Sequence, residues 1–546
     1  MKKSSIIFLL LFFILIYGCS KSNYTNEVEN TFSKIGKPVT GDWLIRSLSA
    51  EPATLNPILA TDVYASIIDD FIYETLLQRD KKTFEMKPLL AYKWEISKNK
   101  LEYTFYLRKG IKWDDGVEFT ADDVVFSYKC IMNPKVDAPH LRNYYRDIKN
   151  VIKLDKYKVK FIYKRPYFLA LEICGGMPIV PEHIYKKGDF NTNPYNRKPI
   201  GTGPYKFEKW ETGKEIILVR KNNYWGKKSY IDKIVFKIIT DDTVRLQLLK
   251  RGDIDFAGLR PIQWVKQTRS AKFNTRVRKL KFYTPNYNFI GWNLRRVYFK
   301  DRDVREALTH LIDRKSILKN ILYNLGKITT GPFYIYSKYY DKSIKPYKYN
   351  VKRAKELLAK AGWKDSNGDG VLDKDGIDFH FTFLIPAGSK FAEQLATIVK
   401  ESFKKAGIIV DIKSLEWATF ISQLDNRNFD AVTLGWSMGV EQDPYQIWHS
   451  SQAKKGSNFV GFKNKRVDEL IEKGRREFDE KKRIAMYKEI HRILHREQPY
   501  TFLFSNMSLL GVSRRFQNTK VYNIYPGVDI TEWWVPKSLQ KYGLNK

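Results

Sequence analysis

Five consecutive stretches decide the fold: residues 379–385 (FHFTFLI), 391–405 (FAEQLATIVKESFKK), 408–412 (IIVDI), 416–424 (EWATFISQL) and 429–434 (FDAVTL). Phe379, Phe381, Phe383 and Ile385 recur at the two-residue period of a strand. The series reads strand, helix, strand, helix, strand, an order that predicts an α/β fold with a parallel sheet and right-handed crossovers. Such sheets bind ligands beyond the carboxyl ends of their strands. The chain leaves the last strand as residues 435–445 (GWSMGVEQDPY), with two carboxylates, two large rings, and Gly and Pro to shape the backbone. A carboxylate there can hold an ammonium group through charge-assisted hydrogen bonds, and the rings offer apolar contact. The plainer alternative is that Asp443-Pro444 begins a turn and Trp436 is core. The strand-end position favours a ligand site, with Trp436, Glu441, Asp443 and Tyr445 as its candidate residues.

Outward from this unit, Leu101, Tyr103, Phe105 and Leu107 share one face of a predicted strand, as do Tyr157, Val159, Phe161 and Tyr163 of another. Helices are marked by their ends. Thr120 caps a helix with Asp122 and Asp123 in its first turn, Asn350 caps one that Gly362 closes, and Asp303 opens a third. A long helix over 479–496 is stopped by Pro499.

At the amino end, Lys2 and Lys3 precede an apolar run from Ile6 to Ile16, too short to cross a bilayer. Basic start, short apolar run and small residue make a secretory signal over 1–18. Gly18-Cys19 resembles the lipobox of bacterial lipoproteins, with Cys19 as the lipidated residue, although Ile16 and Tyr17 depart from that pattern. An ordinary cleaved signal is the alternative. Either way the mature chain is exported to a periplasmic space or the cell surface. Residues 19–39 read as a polar tether. At 546 residues, two or three domains are expected. Three cysteines exclude a disulfide scaffold, and Cys130 and Cys174 are either a pair or two buried thiols. The net charge of +36 is spread along the chain among 60 acidic residues, with no basic arm. It reads as a solvated surface attracted to anionic headgroups, not as a nucleic-acid site.

Other constellations point less far. Asp365, Asn367, Asp369 and Asp373 resemble the opening of a calcium loop, but Gly376 stands where its closing Glu belongs, and Asp/Asn/Gly clusters are also ordinary turns. His491 and His495 have helical metal spacing without the surrounding zinc-protease pattern, and His449 follows the strand-exit segment; packing histidines are the plain reading. No nucleophile elbow, phosphate loop or dinucleotide fingerprint occurs, so no enzyme and no cofactor is expected.

Many short motifs lie in order: 51–57 (EPATLNP), 105–116 (FYLRKGIKWDDG), 120–128 (TADDVVFSY), 199–205 (PIGTGPY), 222–225 (NNYW), 303–308 (DVREAL) and 458–462 (NFVGF). With them the chain resembles the extracytoplasmic solute-binding proteins of peptide ABC transporters, the dipeptide- and oligopeptide-binding lipoproteins of family 5. The resemblance implies a periplasmic binding protein type II-like fold of cluster C, with three domains forming two lobes around a hinged cleft. Domain I would comprise 40–78, 191–293 and 506–546, domain II 79–190, and domain III 294–505. In relatives an Asp in the loop after the strand pairs with the peptide's amino terminus, within a Gly-Trp…Asp-x-Asp-Pro pattern. Here Glu441 replaces the first Asp, so the ammonium anchor falls to Glu441 and Asp443, with Trp436 and Tyr445 as cleft walls. Thr61, Asp62 and Tyr64 correspond to a cleft-lining segment. The implied function is that of a monomer capturing di- or oligopeptides by hinge closure and delivering them to a membrane permease. Alternatives on this fold are a nickel complex, haem, an oligosaccharide or an opine. An exported hydrolase or a polyanion-binding surface protein is the alternative from another class.

Overall fold

The computed structural model describes residues 36–543; the expected leader, Cys19 and nearly all of the tether lie outside them. Among the described residues no helix is long and apolar enough to cross a membrane. Three main sheets organise the chain. The first has eight strands in the order Val277–Tyr283, Phe504–Ser513, Phe256–Gly258, Trp43–Leu48, Lys233–Ile238, Glu215–Arg220 and Tyr205–Glu211, with Gly326–Ile328 also pairing to Phe504–Ser513. The second is four-stranded and antiparallel, Ala91–Ile96, Glu102–Leu107, Lys158–Tyr163 and Ile148–Asp155. The third holds five strands in the order Ile409–Leu415, His380–Pro386, Ala431–Ser437, Asn286–Trp292 and Tyr500–Phe502.

The third sheet contains the expected unit. His380–Pro386 runs parallel to both Ile409–Leu415 and Ala431–Ser437, joined by helices Lys390–Lys404 and Trp417–Asp425. Both faces are covered, as a parallel sheet requires. Phe381, Phe383 and Ile385 pack with Leu395, Val399 and Phe403 on one face, while Leu384, Val432 and Phe420 pack on the other. The expected helix ends are present. Thr120 and Asp123 form a reciprocal capping box before Ala121–Met132, and Asn350 caps Val351–Lys360. Gly362, at φ +89°, ends that helix in the left-handed region where a Cβ would be strained. One start differs: Asp301, not Asp303, accepts the first-turn N–H, because the helix begins at Arg302. Cys130 and Cys174 are free buried thiols, so the pairing alternative is removed.

Adjacent strands pass from the first sheet to the third at Thr284-Pro285 and back again at Leu503. The first crossing precedes the expected boundary after residue 293, since Asn286–Trp292 pairs with Ala431–Ser437 and Tyr500–Phe502. Pro285 has no N–H to contribute to a continuing ladder, which suits a break between sheets. The crossings are sewn together by side chains. Asn286 Oδ1 accepts from Asn506 N at 3.0 Å, Asn286 Nδ2 donates to Asn506 O at 3.1 Å, and Asn506 Nδ2 donates to Asn288 Oδ1 at 2.7 Å.

Candidate functional site

Because Ser437 pairs with Asn286, the strand-exit segment emerges beside the first crossing. Met438 N donates to Pro285 O at 2.9 Å, which fixes the segment to it. Gly435, Ser437 and Gly439 are exposed, so this stretch presents backbone to solvent. A few residues on, the chain enters a contact with the region of the four-stranded sheet.

Asp443 stands at the centre of that contact. Its Oδ1 accepts from Tyr445 N at 3.0 Å, while Oδ2 accepts from the Tyr167 hydroxyl at 2.7 Å and lies 2.9 Å from Arg475 Nε. Tyr167 follows strand Lys158–Tyr163, whereas Arg475 ends helix Lys465–Arg476. The same guanidinium lies 3.5 Å from Asp147, which also pairs with Arg165 at 2.8 Å. The Arg475 carbonyl accepts from Phe168 N at 2.9 Å. Burial works against the Arg475 charge, but Asp443, Tyr167 and Asp147 outweigh it and raise its pKa. Burial, reinforced by Asp443, pushes the Tyr167 hydroxyl well up, so that it stays a donor. With its side chain 3% exposed and three partners in place, Asp443 presents no open oxygen face to an incoming ammonium. In this conformation the Asp443 charge joins two parts of the protein.

Glu441 differs. It accepts from Lys338 Nζ and from the Tyr339 hydroxyl, each at 2.5 Å, and keeps 21% of its side chain exposed. Glu172 lies close enough that Glu441, after burial, contributes to raising its carboxyl pKa. Glu172 itself is paired with Arg79. Both Glu441 oxygens thus have partners within its own part of the protein, while the carboxylate keeps some contact with solvent.

The two aromatic candidates differ in burial, Trp436 being half-buried and Tyr445 buried. Trp436 stacks between Phe459 and Phe289, with ring centroids at 5.9 and 6.4 Å. Tyr445 is 5% exposed, stacks on His449 at 4.3 Å, and lies under the guanidiniums of Arg146 and Arg475 at 4.0 and 4.7 Å. Trp436 thus has one ring on each side, and Tyr445 lies within the contact between the two parts. Asp62 caps helix Val63–Ile72 through Tyr64 N and Ala65 N, Thr61 is exposed, and Tyr64 is half-buried against the main core. This segment meets the strand-exit region through His140, whose ring lies beside the Ala60 backbone and whose carbonyl accepts from Gln446 Nε2 at 3.3 Å.

Arg475, Tyr167, Asp147, Lys338 and Tyr339 were not foreseen. Each lies far along the chain from residues 435–445, so no local spacing marks it. The calcium reading gives way to turn chemistry: Asp365 accepts from Gly368 N and Gly370 N, Asp369 from Val371 N, and Asp373 from Ser366. Among the described residues no group of three or more His, Cys, Asp or Glu side chains is arranged to hold a metal. His491 and His495 are packed against Thr330, and His449 against Ser451 and Tyr445.

Known proteins share this architecture. The model of bacterial extracellular solute-binding proteins, family 5 Middle, matches residues 85–458. The oligopeptide-binding protein AppA of Bacillus subtilis is 35% identical over 97% of this chain and 98% of its own length. Its structure in complex with a nonapeptide superposes with a TM-score of 0.84 at 34% identity, covering 92% of this chain and all of that one. NikZ of Campylobacter jejuni, in complex with Ni(L-His), gives 0.80 at 28% identity over 90% and 99%. Heme-binding protein A of Haemophilus influenzae is 26% identical over 95% and 97%. The chain has the periplasmic binding protein type II-like fold, is a binding protein and not an enzyme, and belongs to the bacterial extracellular solute-binding proteins of family 5.

Proposed function

We propose that this protein captures peptides with a free amino terminus between two lobes and hands them to the membrane permease of an ABC transporter. Domains I and II form one lobe and domain III the other, with Thr284-Pro285 and Leu503 as the hinges. The observation that carries the reading is the strand-exit segment, with exposed positions at Gly435, Ser437 and Gly439 and a partly solvent-exposed carboxylate at Glu441 soon after them. Exposed strand-end backbone can pair with an extended peptide whatever its side chains, and the carboxylate selects its charged end. The likeness to a nonapeptide-binding relative along nearly the whole chain supports the same choice. Asp443, Arg475 and Tyr167 act as a latch between the lobes. A ligand that touches both lobes favours the latched form by its differential affinity. Thr61, Asp62 and Tyr64 form the facing wall. Export through the 1–18 leader and lipid attachment at Cys19 hold the protein beside its permease, with residues 19–39 as tether.

Native mass spectrometry of the protein purified from its own cells tests the reading. Co-purifying masses should resolve into peptides that unfolding releases. A metal chelate, haem or sugar in their place overturns the peptide reading while leaving the family intact. Cys19→Ser should abolish incorporation of labelled fatty acid; unchanged labelling refutes the anchor.

A further inference from the structure

A second cleft lies away from the strand-exit segment. Its volume is about 880 Å³, and its lining comes from residues 46–108, 204–227 and 520–532. None of residues 435–445 takes part. The size is that of a small-molecule site. Arg46 enters it from strand Trp43–Leu48, Asp70 from helix Val63–Ile72, and Tyr525 from the carboxyl-terminal segment.

Most charged groups of this cleft already have partners. Arg79 pairs with Glu172, Lys81 with Asp529 at 2.6 Å, and Glu74 accepts from Tyr224 and Trp225 at 2.5 and 2.9 Å. Arg46 is the exception. It is 9% exposed, its guanidinium rests over the Phe256 ring at 4.4 Å, and Nε has no hydrogen-bond partner. Among the described residues no carboxylate lies within ion-pair distance of it. Burial lowers its pKa to about 10, against the pull of Tyr525 and Asp70. Asp70 lines the same cleft and is exposed to its solvent. The two opposite charges thus share one cleft without forming an ion pair. A desolvated guanidinium left unpaired is unfavourable unless something supplies its counter-charge.

We propose that this cleft is a separate site for a small zwitterion of the α-amino acid class, its carboxylate on Arg46 and its ammonium on Asp70. The Tyr525 hydroxyl stands beside both charges and donates to the Val63 carbonyl over a long 3.4 Å, a bond it would exchange for one to the ligand's carboxylate. The remaining volume receives the side chain. Because Val63 directly follows Asp62, occupancy of this cleft bears on the segment proposed to line the interlobe site.

Thermal-shift and calorimetric titrations of the full chain, stripped of ligand, with each free L-amino acid at about 5 mM test the assignment. At least one should raise the Tm of the unsubstituted protein, and its N-acetyl and amide derivatives should not. Asp70→Asn and Arg46→Gln should each weaken that amino acid at least tenfold, and Tyr525→Phe about threefold. Glu441→Gln should leave it unchanged, which separates this site from the interlobe reading. Should Arg46→Gln fail to fold, the solvent-reached Asp70→Asn carries the test. Absence of binding by every amino acid, binding indifferent to Asp70→Asn, or binding abolished by Glu441→Gln overturns the proposal.

Discussion

At the scale of single residues, the two acids of the strand-exit segment divide the work by their surroundings. Glu441 keeps part of its surface open, whereas Asp443 is closed in by Tyr167 and Arg475. Glu441→Gln keeps the shape and removes the charge. Calorimetry should show free-amine peptides weakened about tenfold, and amino-acetylated peptides hardly at all. Equal losses would remove Glu441 from the role of anchor. Asp443→Asn leaves Arg475 buried with Asp147 at 3.5 Å as its remaining carboxylate. Stranding a buried charge costs on the order of 3 kcal/mol, here charged to the latched form. Both classes of peptide should therefore weaken together, tenfold or more. A loss confined to free-amine peptides would return the anchor to Asp443.

At the scale of elements, helix Glu480–Glu497 carries a pH dependence. Burial lowers His491 to about 3 and His495 to about 4. His491 Nδ1 accepts from Asp341 N, which requires the neutral ring. Folded values below the ordinary histidine pKa mean that the unfolded chain binds more protons as the pH drops. The stability is present above about pH 6.5 and is lost as the pH falls toward the folded values, at most about 2 kcal/mol per ring by pH 5. The Tm of His491→Gln should consequently fall less between pH 7 and 5 than that of the unsubstituted protein; parallel slopes would contradict the assignment.

The same scale shows what the sequence could reveal. The 379–434 unit was legible because strand alternation, helix length and capping residues all act locally. The Thr120 and Asn350 caps were legible for that reason too. The passage between sheets at Pro285 was not legible, because the pairing that assigns Asn286–Trp292 to the third sheet is made with distant strands. The latch was beyond local reading, since Tyr167, Arg475 and Asp443 meet only after distant segments have folded. The neighbours of Trp436 were not legible either, because a ring at a strand end looks alike whether it faces a cleft or packs on Phe459.

At the scale of the whole molecule, the +36 charge is a property of the surface, not of the capture step. Peptide affinity should change less than threefold when salt rises about tenfold, whereas a polyanion binder would lose orders of magnitude. A steep salt dependence would favour that other class. The proposed capture is a change of shape about Thr284-Pro285 and Leu503, which small-angle X-ray scattering measures most directly. The ligand-stripped chain should contract, with a smaller radius of gyration, when a digest of casein is added. An unchanged radius with the digest, together with contraction on adding nickel–histidine, haem or a sugar, would contradict peptide capture.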